Sequence, residues 1–270
     1  MQAYPHMNTH LGLYDFEVVK NEPVGDALQR IVIASPELAS TIAPGQFVNI
    51  AVPGDARHIT RIPLSYSASD AKNGIVEIVY AIVGEGTRRL AAMKPQQTSD
   101  LVGPSGNGWQ ISAARDTGRV LLVAGGVGIT PIVGLAHELQ ARGRAFDVVI
   151  GAQTKARLWG VTQSRDAGAG RVMITTDDGS CGMRGFTTTA AEELLKQQGY
   201  DCVYTCGPAP MMAAIARIAK RYHTDCQVSL ERMMACGFGA CHVCNVAMIA
   251  GGYKRCCTEG PVFDAEEVVW

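Results

Sequence analysis

The chain has 270 residues, of which 47% are hydrophobic and 18% are charged, and its formal net charge is −1. This balance excludes an intrinsically disordered chain and lacks the basic character of a general nucleic-acid-binding protein. The length is sufficient for two domains and a small additional segment.

The first hundred residues predict a small antiparallel β-barrel. Apolar and polar residues alternate, between Gly, Pro, Asn and Asp, in LYDFEVVKNEPV, LQRIVIASP, GQFVNIAVP and GIVEIVYAIVG. Several short strands bounded by turn residues are typical of such a barrel. A helix is predicted after Gly86, in TRRLAAMKP, which ends at a proline.

Two short motifs in this region favour a flavin. RIPLSYS, residues 61–67, combines a cation, a proline and hydroxyl groups, which suit a pyrophosphate and the edge of an isoalloxazine ring. GEGT, residues 84–87, is a glycine-rich turn that leads into a helix, which is typical of an anion site. Each motif alone equally fits a solvated strand edge or a simple tight turn. Together they predict a flavin site.

From about Arg119 onward, strands alternate with helices. RVLLVAGG, FDVVIGAQT, RVMITTDDG and CVYTCGP predict strands, and helices are predicted in PIVGLAHELQARG, TTTAAEELLKQQG and APMMAAIARIAKRYH. This alternation predicts a parallel sheet with helices on both faces. The uncharged residues 120–136 are few for a membrane span, and three glycines and a proline interrupt their middle. A buried strand followed by a helix is therefore favoured over a membrane span.

The sequence AGGVGITP, residues 124–131, lies where the first of these strands meets its helix. Glycines at such a junction let the backbone approach a pyrophosphate, and Pro131 fits the first turn of the helix. The motif is not G-x-G-x-x-G, and no acidic residue ends the next strand, so the Rossmann ribose rule is not met. Lys155 and Arg157 follow that strand, which leaves NADP open beside NAD.

Five of the nine cysteines lie in the last 35 residues, which indicates a metal site rather than a disulfide scaffold. Cys236, Cys241 and Cys244, followed by a more distant cysteine, have the spacing of plant-type 2Fe–2S ferredoxins. Gly237 and Gly239 let the backbone wrap around a cluster. A structural zinc site and a C-x-x-C redox pair are alternatives that fit the four-residue spacing and the glycines less well.

The fourth ligand is either Cys256 or Cys257, whose side chains point to opposite sides if the segment is extended. The N-terminus has neither a basic region nor an apolar core of the kind found in signal peptides. We therefore expect a cytoplasmic protein, with no membrane and no nucleic acid among its partners.

With the barrel, the glycine-rich turn, the CGP segment and the cysteine-rich end in this order, the chain resembles the ferredoxin–NADP reductase superfamily. Within it, the chain is most similar to the electron-transfer subunits of type B dihydroorotate dehydrogenases. The most specific parts are ERMMACGFGACHVC, YKRCCTEGPVFDAEEV and TTDDGSCGMRGF. The resemblance implies a FAD-binding β-barrel at residues 1–112, an NAD-binding α/β domain at 113–225 and a 2Fe–2S lobe at 226–270.

The resemblance also implies individual site residues. FAD contacts are implied at Arg61, Pro63, Leu64, Ser65, Val79, Gly86 and Thr87. NAD contacts are implied at Gly125, Gly126, Gly128, Thr130, Pro131, Cys206, Gly207 and Pro208. Cluster ligands are implied at Cys236, Cys241, Cys244 and Cys257, because the family places its last ligand directly before the acidic-Gly-Pro turn.

The implied partner is an FMN-containing catalytic subunit that oxidises dihydroorotate to orotate in pyrimidine biosynthesis, in a heterotetramer of two plus two chains. We find no general base for the pyrimidine step in this chain, so no catalytic residue is predicted. Ile62 departs from the family, whose flavin motif reads Arg-Arg-Pro. RIPL is similar instead to small subunits of NADH-dependent ferredoxin–NADP reductases and sulfide dehydrogenases, which tend to lack the first cysteine, here Cys236.

Two alternative functions stay open from the sequence. One is a reductase subunit with the same cofactors that serves a ferredoxin-, sulfide- or glutamate-linked partner. The other is a zinc-stapled binding module without enzymatic activity, which would be colourless.

Overall fold

The computed structural model describes residues 10–26, 28–55, 58–111 and 118–270. They form two compact units. The first contains the described residues up to Gly108 together with Glu231–Val262, and the second contains Trp109–Leu230 and Phe263–Trp270. The three-part division predicted from the sequence assigns functions to segments of the chain and stays a prediction.

The first unit is built on a seven-stranded antiparallel half-barrel sheet with the strand order β4-β3-β7-β1-β2-β6-β5. Its strands are β1 (Gly12–Gly25), β2 (Leu28–Ala34), β3 (Phe47–Ile50), β4 (Ile62–Ser65), β5 (Ala68–Asp70), β6 (Ile75–Ala81) and β7 (Thr98–Ser105). Its helices are α1 (Pro36–Thr41) and α2 (Glu85–Ala92).

Alternation explains the core of the half-barrel. Ile31 and Ile33 of β2 and Val76 and Ile78 of β6 are fully buried, because every second side chain of a strand faces the same side. Helix α2 begins before Gly86 rather than after it, so Gly86 and Thr87 lie in its first turn. The strand β7 was not predicted, because TSDLVGPS contains both a glycine and a proline.

The second unit is an α/β layer with the strand order β11-β10-β9-β8-β12-β13-β16. Its strands are β8 (Arg119–Gly125), β9 (Ala145–Ala152), β10 (Val172–Thr176), β11 (Met183–Arg184), β12 (Cys202–Cys206), β13 (Asp225–Ser229) and β16 (Val262–Asp264). Its helices are α3 (Ile129–Ala141), α4 (Val161–Asp166), α5 (Thr187–Gln197) and α6 (Ala209–Arg221). The strands from β8 to β13 pair in parallel, which confirms the predicted fold class.

The uncharged residues 120–136 form the buried strand β8 and the first half of α3, as predicted. Ile132, Leu135 and Ala136 of α3 are fully buried, which explains why this helix is apolar on most of its surface. Over the described part of the chain, no helix has the length and apolar character needed to cross a membrane.

The cysteine-rich segment belongs to the first unit. It consists of a loop after β13 and a short antiparallel hairpin of β14 (Asn245–Ala247) and β15 (Tyr253–Arg255). A segment with so little regular structure depends on contacts with its surroundings to hold its shape.

Candidate metal centre and nucleotide loops

Three of the predicted cluster ligands share the loop between β13 and β14. Cys236, Cys241 and Cys244 lie in a stretch with no helix or strand among its described residues. Gly237 has a φ of +74° and Gly239 a φ of +91°, in the left-handed region that favours glycine. The backbone therefore turns sharply on both sides of Phe238.

Backbone N–H groups of this loop converge on the sulfur of Cys236. The Cys241 N–H donates to Cys236 Sγ at 3.4 Å, and the N–H groups of Phe238 and Ala240 also interact with this sulfur. Burial alone raises the pKa of the Cys236 thiol, but these donors lower the pKa to about 7. The loop thus stabilises the thiolate, which is the form of cysteine that binds metals.

The four predicted ligands form two pairs. The Cys236 side chain hydrogen-bonds with that of Cys241, and the Cys257 side chain with that of Cys244. The Cys257 N–H also donates to Cys244 Sγ at 3.4 Å. Burial, followed by the interactions with Cys244, raises the pKa of the Cys257 thiol to about 12. Two adjacent pairs of thiols match a binuclear centre in which each iron takes two cysteines.

The loop geometry agrees with the pattern from which a 2Fe–2S cluster was predicted, since two glycines with positive φ lie between Cys236 and Cys241. The Thr258 hydroxyl is buried with no hydrogen-bond partner in the described structure, next to Cys257. An extra donor of this kind suits the sulfides and thiolates of a cluster.

Cys256 and Cys257 both contact Cys244. The Cys257 N–H donates to the sulfur of Cys244 at 3.4 Å, whereas the Cys256 N–H donates to the carbonyl of Cys244 at 2.9 Å. Burial raises the pKa of both thiols, and both side chains are almost completely buried. The assignment of Cys257 as the fourth ligand stays a prediction.

Arg255 joins the two cysteine segments. Its Nη1 donates to the carbonyl of Gly239 at 3.1 Å, and its Nε and backbone N–H donate to Glu259 Oε2 at 3.1 and 2.8 Å. Burial alone raises the pKa of Glu259, but the contacts with Arg255 lower it below its ordinary value. A fixed cation therefore lies beside the cysteine loop. Arg255 was not predicted from the sequence as part of the site, because an arginine before two cysteines has no distinctive spacing.

The predicted flavin strand is β4, which carries Pro63, Leu64 and Ser65 at the edge of the half-barrel. It pairs with β3 in a register that places Pro63 opposite Asn49. Its residues are all partly exposed, as an edge that receives a ligand requires. Val79 lies in β6, which does not pair with β4, and its side chain is buried.

Arg61 and Ile62 lie in different surroundings. Arg61 Nη2 is 2.6 Å from Asp100 Oδ1, and its Nη1 donates to the carbonyl of Asn49 at 3.5 Å. Ile62 packs against the barrel core, and a Cβ atom on Gly86 would lie 3.3 Å from its side chain. The departure from Arg-Arg-Pro therefore places an isoleucine, not a cation, beside the first turn of α2. The assignment of Arg61 to FAD stays a prediction.

The start of α2 provides backbone donors for an anion. Thr87 Oγ1 accepts hydrogen bonds from the N–H groups of Val83 and Gly84, each at 3.0 Å, and so holds the turn before the helix. The N–H groups of the first turn of a helix have no intrahelical acceptors, and they favour negative charge. This geometry suits a phosphate of FAD, with Gly86 in the same turn.

The predicted nucleotide loop connects β8 to α3 in the second unit. Gly125 ends β8, residues Gly126–Gly128 form a 3-10 turn, and Thr130 and Pro131 lie buried in the first turn of α3. A Cβ atom on Gly128 would lie 2.4 Å from the carbonyl oxygen of Cys206. This close approach of two backbones requires glycine at position 128.

The structure brings the two predicted nucleotide motifs together. β12 pairs in parallel with β8, and Cys206 stands opposite Ala124. A Cβ atom on Gly125 would lie 3.0 Å from Pro208, and one on Gly207 would lie 3.0 Å from the Gly125 N atom. Strand order reverses between β8 and β12, and dinucleotides bind in open α/β sheets at such a reversal.

Lys155 and Arg157 are exposed at the end of β9. The Lys155 N–H donates to Ser180 Oγ at 2.7 Å, and Arg157 Nη1 donates to Gln153 Oε1. Asp178 accepts from Ser180, whose side chain and N–H lower the pKa of that carboxyl group. The loop TTDDGSCG therefore lies next to the β9 turn. No site residue was predicted in this loop from the sequence.

Comparison with known proteins assigns two of these regions. The family model described as the iron–sulfur cluster binding domain of dihydroorotate dehydrogenase B matches residues 231–269. The model described as the oxidoreductase NAD-binding domain matches residues 122–217.

Several curated relatives are similar over most of their length. The dihydroorotate dehydrogenase B (NAD(+)) electron transfer subunit of Geobacillus kaustophilus is 42% identical, over 84% of this chain and 86% of its own. The corresponding subunit of Geobacillus thermodenitrificans is 38% identical over 96% of this chain and 99% of its own. Among solved structures, a chain of the NADH-dependent reduced ferredoxin–NADP oxidoreductase, described in relation to flavin-based electron bifurcation, has a TM-score of 0.85 and 32% identity. The matched region includes 94% of this chain and 90% of the solved chain.

The two adjacent cysteines give a direct test of the metal centre. Cys257→Ser is expected to lower the iron content well below about two per chain, because it removes one thiol of a pair. Cys256→Ser is the matched control and is expected to keep the iron and the visible spectrum. Iron analysis of anaerobically purified protein measures both. Loss of iron in Cys256→Ser with retention in Cys257→Ser would contradict the assignment.

The close approach at Gly128 gives a test of the nucleotide loop. Gly128→Ala is expected to raise the Kd for NADH at least about tenfold, because the new methyl group forces the loops after β8 and β12 apart. Gly143→Ala is the control for backbone strain alone, since Gly143 has a φ of +64° and a Cβ atom there meets no atom within 4 Å, whereas Gly128 has a φ of −59° and only the collision. Fluorescence titration with NADH measures both. An unchanged Kd in Gly128→Ala would show that this loop does not bind the nucleotide.

Proposed function

We propose that this chain, which belongs to the family of dihydroorotate dehydrogenase B electron transfer subunits, transfers electrons between NAD and a partner subunit. The partner subunit oxidises dihydroorotate. In the overall reaction, dihydroorotate and NAD⁺ give orotate, NADH and a proton. Dihydroorotate gives up two electrons and two protons. The two electrons pass along the chain to NAD⁺, which takes up one proton as it becomes NADH, so one proton is released overall.

The observation that carries this proposal is the pairing of four thiols in one loop and one turn. In this proposal Cys236 with Cys241, and Cys244 with Cys257, would provide the two ligand pairs of a 2Fe–2S cluster. The Cys241 N–H lies 3.4 Å from Cys236 Sγ, and the Cys257 N–H lies 3.4 Å from Cys244 Sγ. The N–H groups that reach Cys236 stabilise negative charge on the ligand. Hydrogen bonds of this type raise the reduction potential of a cluster, because they stabilise its reduced form.

In this proposal the half-barrel holds FAD along β4 and at the start of α2, through the residues predicted from the sequence. When bound, FAD exchanges a hydride with NAD and single electrons with a 2Fe–2S cluster, and so joins two-electron to one-electron chemistry. Thr87 holds the turn whose N–H groups would bind a phosphate of FAD. Pro63, Leu64 and Ser65, which are partly exposed on the edge strand β4, would contact the isoalloxazine ring.

NAD is assigned to the loops after β8 and β12. Gly125, Gly126 and Gly128 let the backbone approach the pyrophosphate, and the N-terminus of α3 favours its negative charge. We favour NAD over NADP because the curated relatives are named as NAD(+) enzymes. The side chain of Arg157 interacts with Gln153, so this cation is already engaged.

A partner face is assigned to the surface around the exposed Cys241. Phe238 is 50% and Val243 is 47% exposed, and Met233 and Tyr253 of the same segment are 82% and 71% exposed. Exposed apolar side chains concentrated beside a redox centre are typical of a protein interface. The proposed occupant is the FMN-containing catalytic subunit.

We also propose a cytoplasmic location, where thiols stay reduced, since within the described ranges none of the nine cysteines forms a disulfide.

A second candidate has specific support. Ile62 replaces an arginine of the family motif, and a chain of the NADH-dependent reduced ferredoxin–NADP oxidoreductase matches this chain with a TM-score of 0.85. A subunit with the same cofactors that exchanges electrons with a ferredoxin-linked partner would share both features. The curated relatives described above are named for dihydroorotate dehydrogenase B, and they favour the first proposal.

Reconstitution with the catalytic subunit tests the choice of partner. The full chain, loaded with FAD and iron, is mixed with the dihydroorotate dehydrogenase catalytic subunit of the same organism. We expect NAD⁺ reduction that depends on dihydroorotate and on both proteins, and a complex whose mass by light scattering corresponds to two plus two chains.

A chain that oxidises NADH with ferricyanide but does not couple to the catalytic subunit would contradict the proposed partner. Reduction of a ferredoxin by NADPH or NADH in the same preparation would then support the second candidate. The ferricyanide reaction serves as the control, because it needs only the cofactors of this chain.

A further inference from the structure

The half-barrel touches the cysteine loop through Asn49. This residue lies in β3 and is 2% exposed. A Cβ atom on Gly237 would lie 2.6 Å from both the Cγ and the Nδ2 of Asn49. The carboxamide of Asn49 therefore packs directly on the backbone between Cys236 and Phe238, with no room for a side chain at position 237.

The carboxamide of Asn49 is held in place from behind. Its Nδ2 donates to Ser105 Oγ at 2.9 Å, and Ser105 is 1% exposed. Ser105 is the last residue of β7, which pairs with β3. Nδ2 also donates to the carbonyl of Val102 at 3.5 Å. A carbonyl only accepts, so an amide turned by 180° would direct its own oxygen at this carbonyl and lose the hydrogen bond.

Asn49 also belongs to the ladder that carries the proposed flavin strand. Its backbone stands opposite Pro63 of β4, in the β3–β4 register. One residue therefore connects the strand assigned to FAD with the loop that carries three cysteine ligands. Both contacts lie within the first compact unit.

The second cysteine segment is attached to the same sheet. The Asn107 N–H donates to the carbonyl of Gly260 at 2.6 Å, and its Nδ2 donates to the carbonyl of Glu259 at 2.9 Å. These residues directly follow Cys257 and Thr258. The half-barrel thus contacts both cysteine segments. Asn107, two residues after the end of β7, binds the segment of the fourth ligand, and Asn49 of β3 contacts the loop of the other three ligands.

We propose that Asn49 is a positioning residue for electron exchange between the flavin strand and the metal centre. Its carboxamide fixes the Cys236–Gly237 backbone against β3, and β3 fixes β4. This inference rests on the proposed function, since it needs both cofactors. Groups that do not bind the metal but orient its ligands influence the properties of a metal site. Displacement of a reacting group by about 1 Å lowers the rate of the reaction strongly.

Two separate causes require glycine at position 237. Its φ of +74° disfavours other residues, and any Cβ atom would collide with Asn49. The two causes are separable, because only the second depends on Asn49. A double-mutant cycle between the two positions therefore isolates the contact.

The experiment uses the full chain loaded with FAD and iron, as wild type, Asn49→Ala, Gly237→Ala and the double variant. Asn73→Ala is the matched control, since Asn73 is an exposed asparagine of the half-barrel unit that bonds to Asp70. Three quantities are measured without oxygen. They are the EPR spectrum after dithionite reduction, the rate of iron loss to a chelator, and the separate rates of flavin and cluster reduction after mixing with NADH.

We expect Asn49→Ala to change the g values of the reduced centre and to slow its reduction at least about tenfold. The rate of flavin reduction by NADH is expected to stay within about twofold, because the nucleotide loops are untouched. Gly237→Ala is expected to lose iron faster than wild type. In the Asn49→Ala background, Gly237→Ala is expected to increase the rate of iron loss by a smaller factor, because the collision with the Asn49 side chain is removed.

An Asn49→Ala protein with a wild-type EPR spectrum and wild-type cluster reduction would overturn the inference. Equal effects of Gly237→Ala in both backgrounds would also overturn it, because the strain of the backbone alone would then explain the glycine. FAD content, measured on every sample, separates these outcomes from loss of the fold. A wild-type chain with neither FAD nor iron would overturn the proposed function, and the inference with it.

Discussion

Direct contact between the half-barrel and the backbone of two cysteine segments is the constraint on which the metal centre depends. The proposed ligands span positions 236 to 257, in a segment whose only regular structure is a short hairpin. Such a segment cannot bury enough apolar surface to hold four sulfurs in place by itself. The contacts of Asn49 and Asn107 connect it to a seven-stranded sheet instead. Arg255 then links one cysteine segment to the other.

The same sheet also carries the strand assigned to FAD, and this has a functional consequence. Groups that exchange electrons need a fixed separation, and a common rigid support provides it with few additional contacts. NAD binding is assigned to a different compact unit, built on a parallel sheet, whose loops provide the approach to a dinucleotide. In this proposal the nicotinamide nucleotide and the carriers of single electrons are held by sheets of different geometry.

The features that the sequence predicted are those that depend on local spacing. The interval between Cys236, Cys241 and Cys244 follows from how a short loop wraps around a cluster, so it is visible without a structure. The apolar runs of β8 and α3 are likewise local patterns. The choice of Cys257 over Cys256 came from the family resemblance and stays a prediction.

Long-range contacts could not be predicted in the same way. Asn49 appears in FVNI as an unremarkable polar residue of a strand, and its role depends on a loop 188 residues further along the chain. Arg61 lies in the expected motif, yet its guanidinium is paired with Asp100, 39 residues away. Both cases involve a side chain whose partner comes from another part of the sequence, and periodicity and spacing contain no information about such a partner.

The most direct test of the electron-transfer proposal is the cofactor content of the chain itself. An ultraviolet–visible spectrum is recorded without oxygen on purified protein, and iron, zinc and flavin are quantified on the same sample. We predict about two irons and about one FAD per chain, with absorption that NADH bleaches. Zinc without flavin absorption would contradict the proposal, and the cysteines would then form a structural metal site.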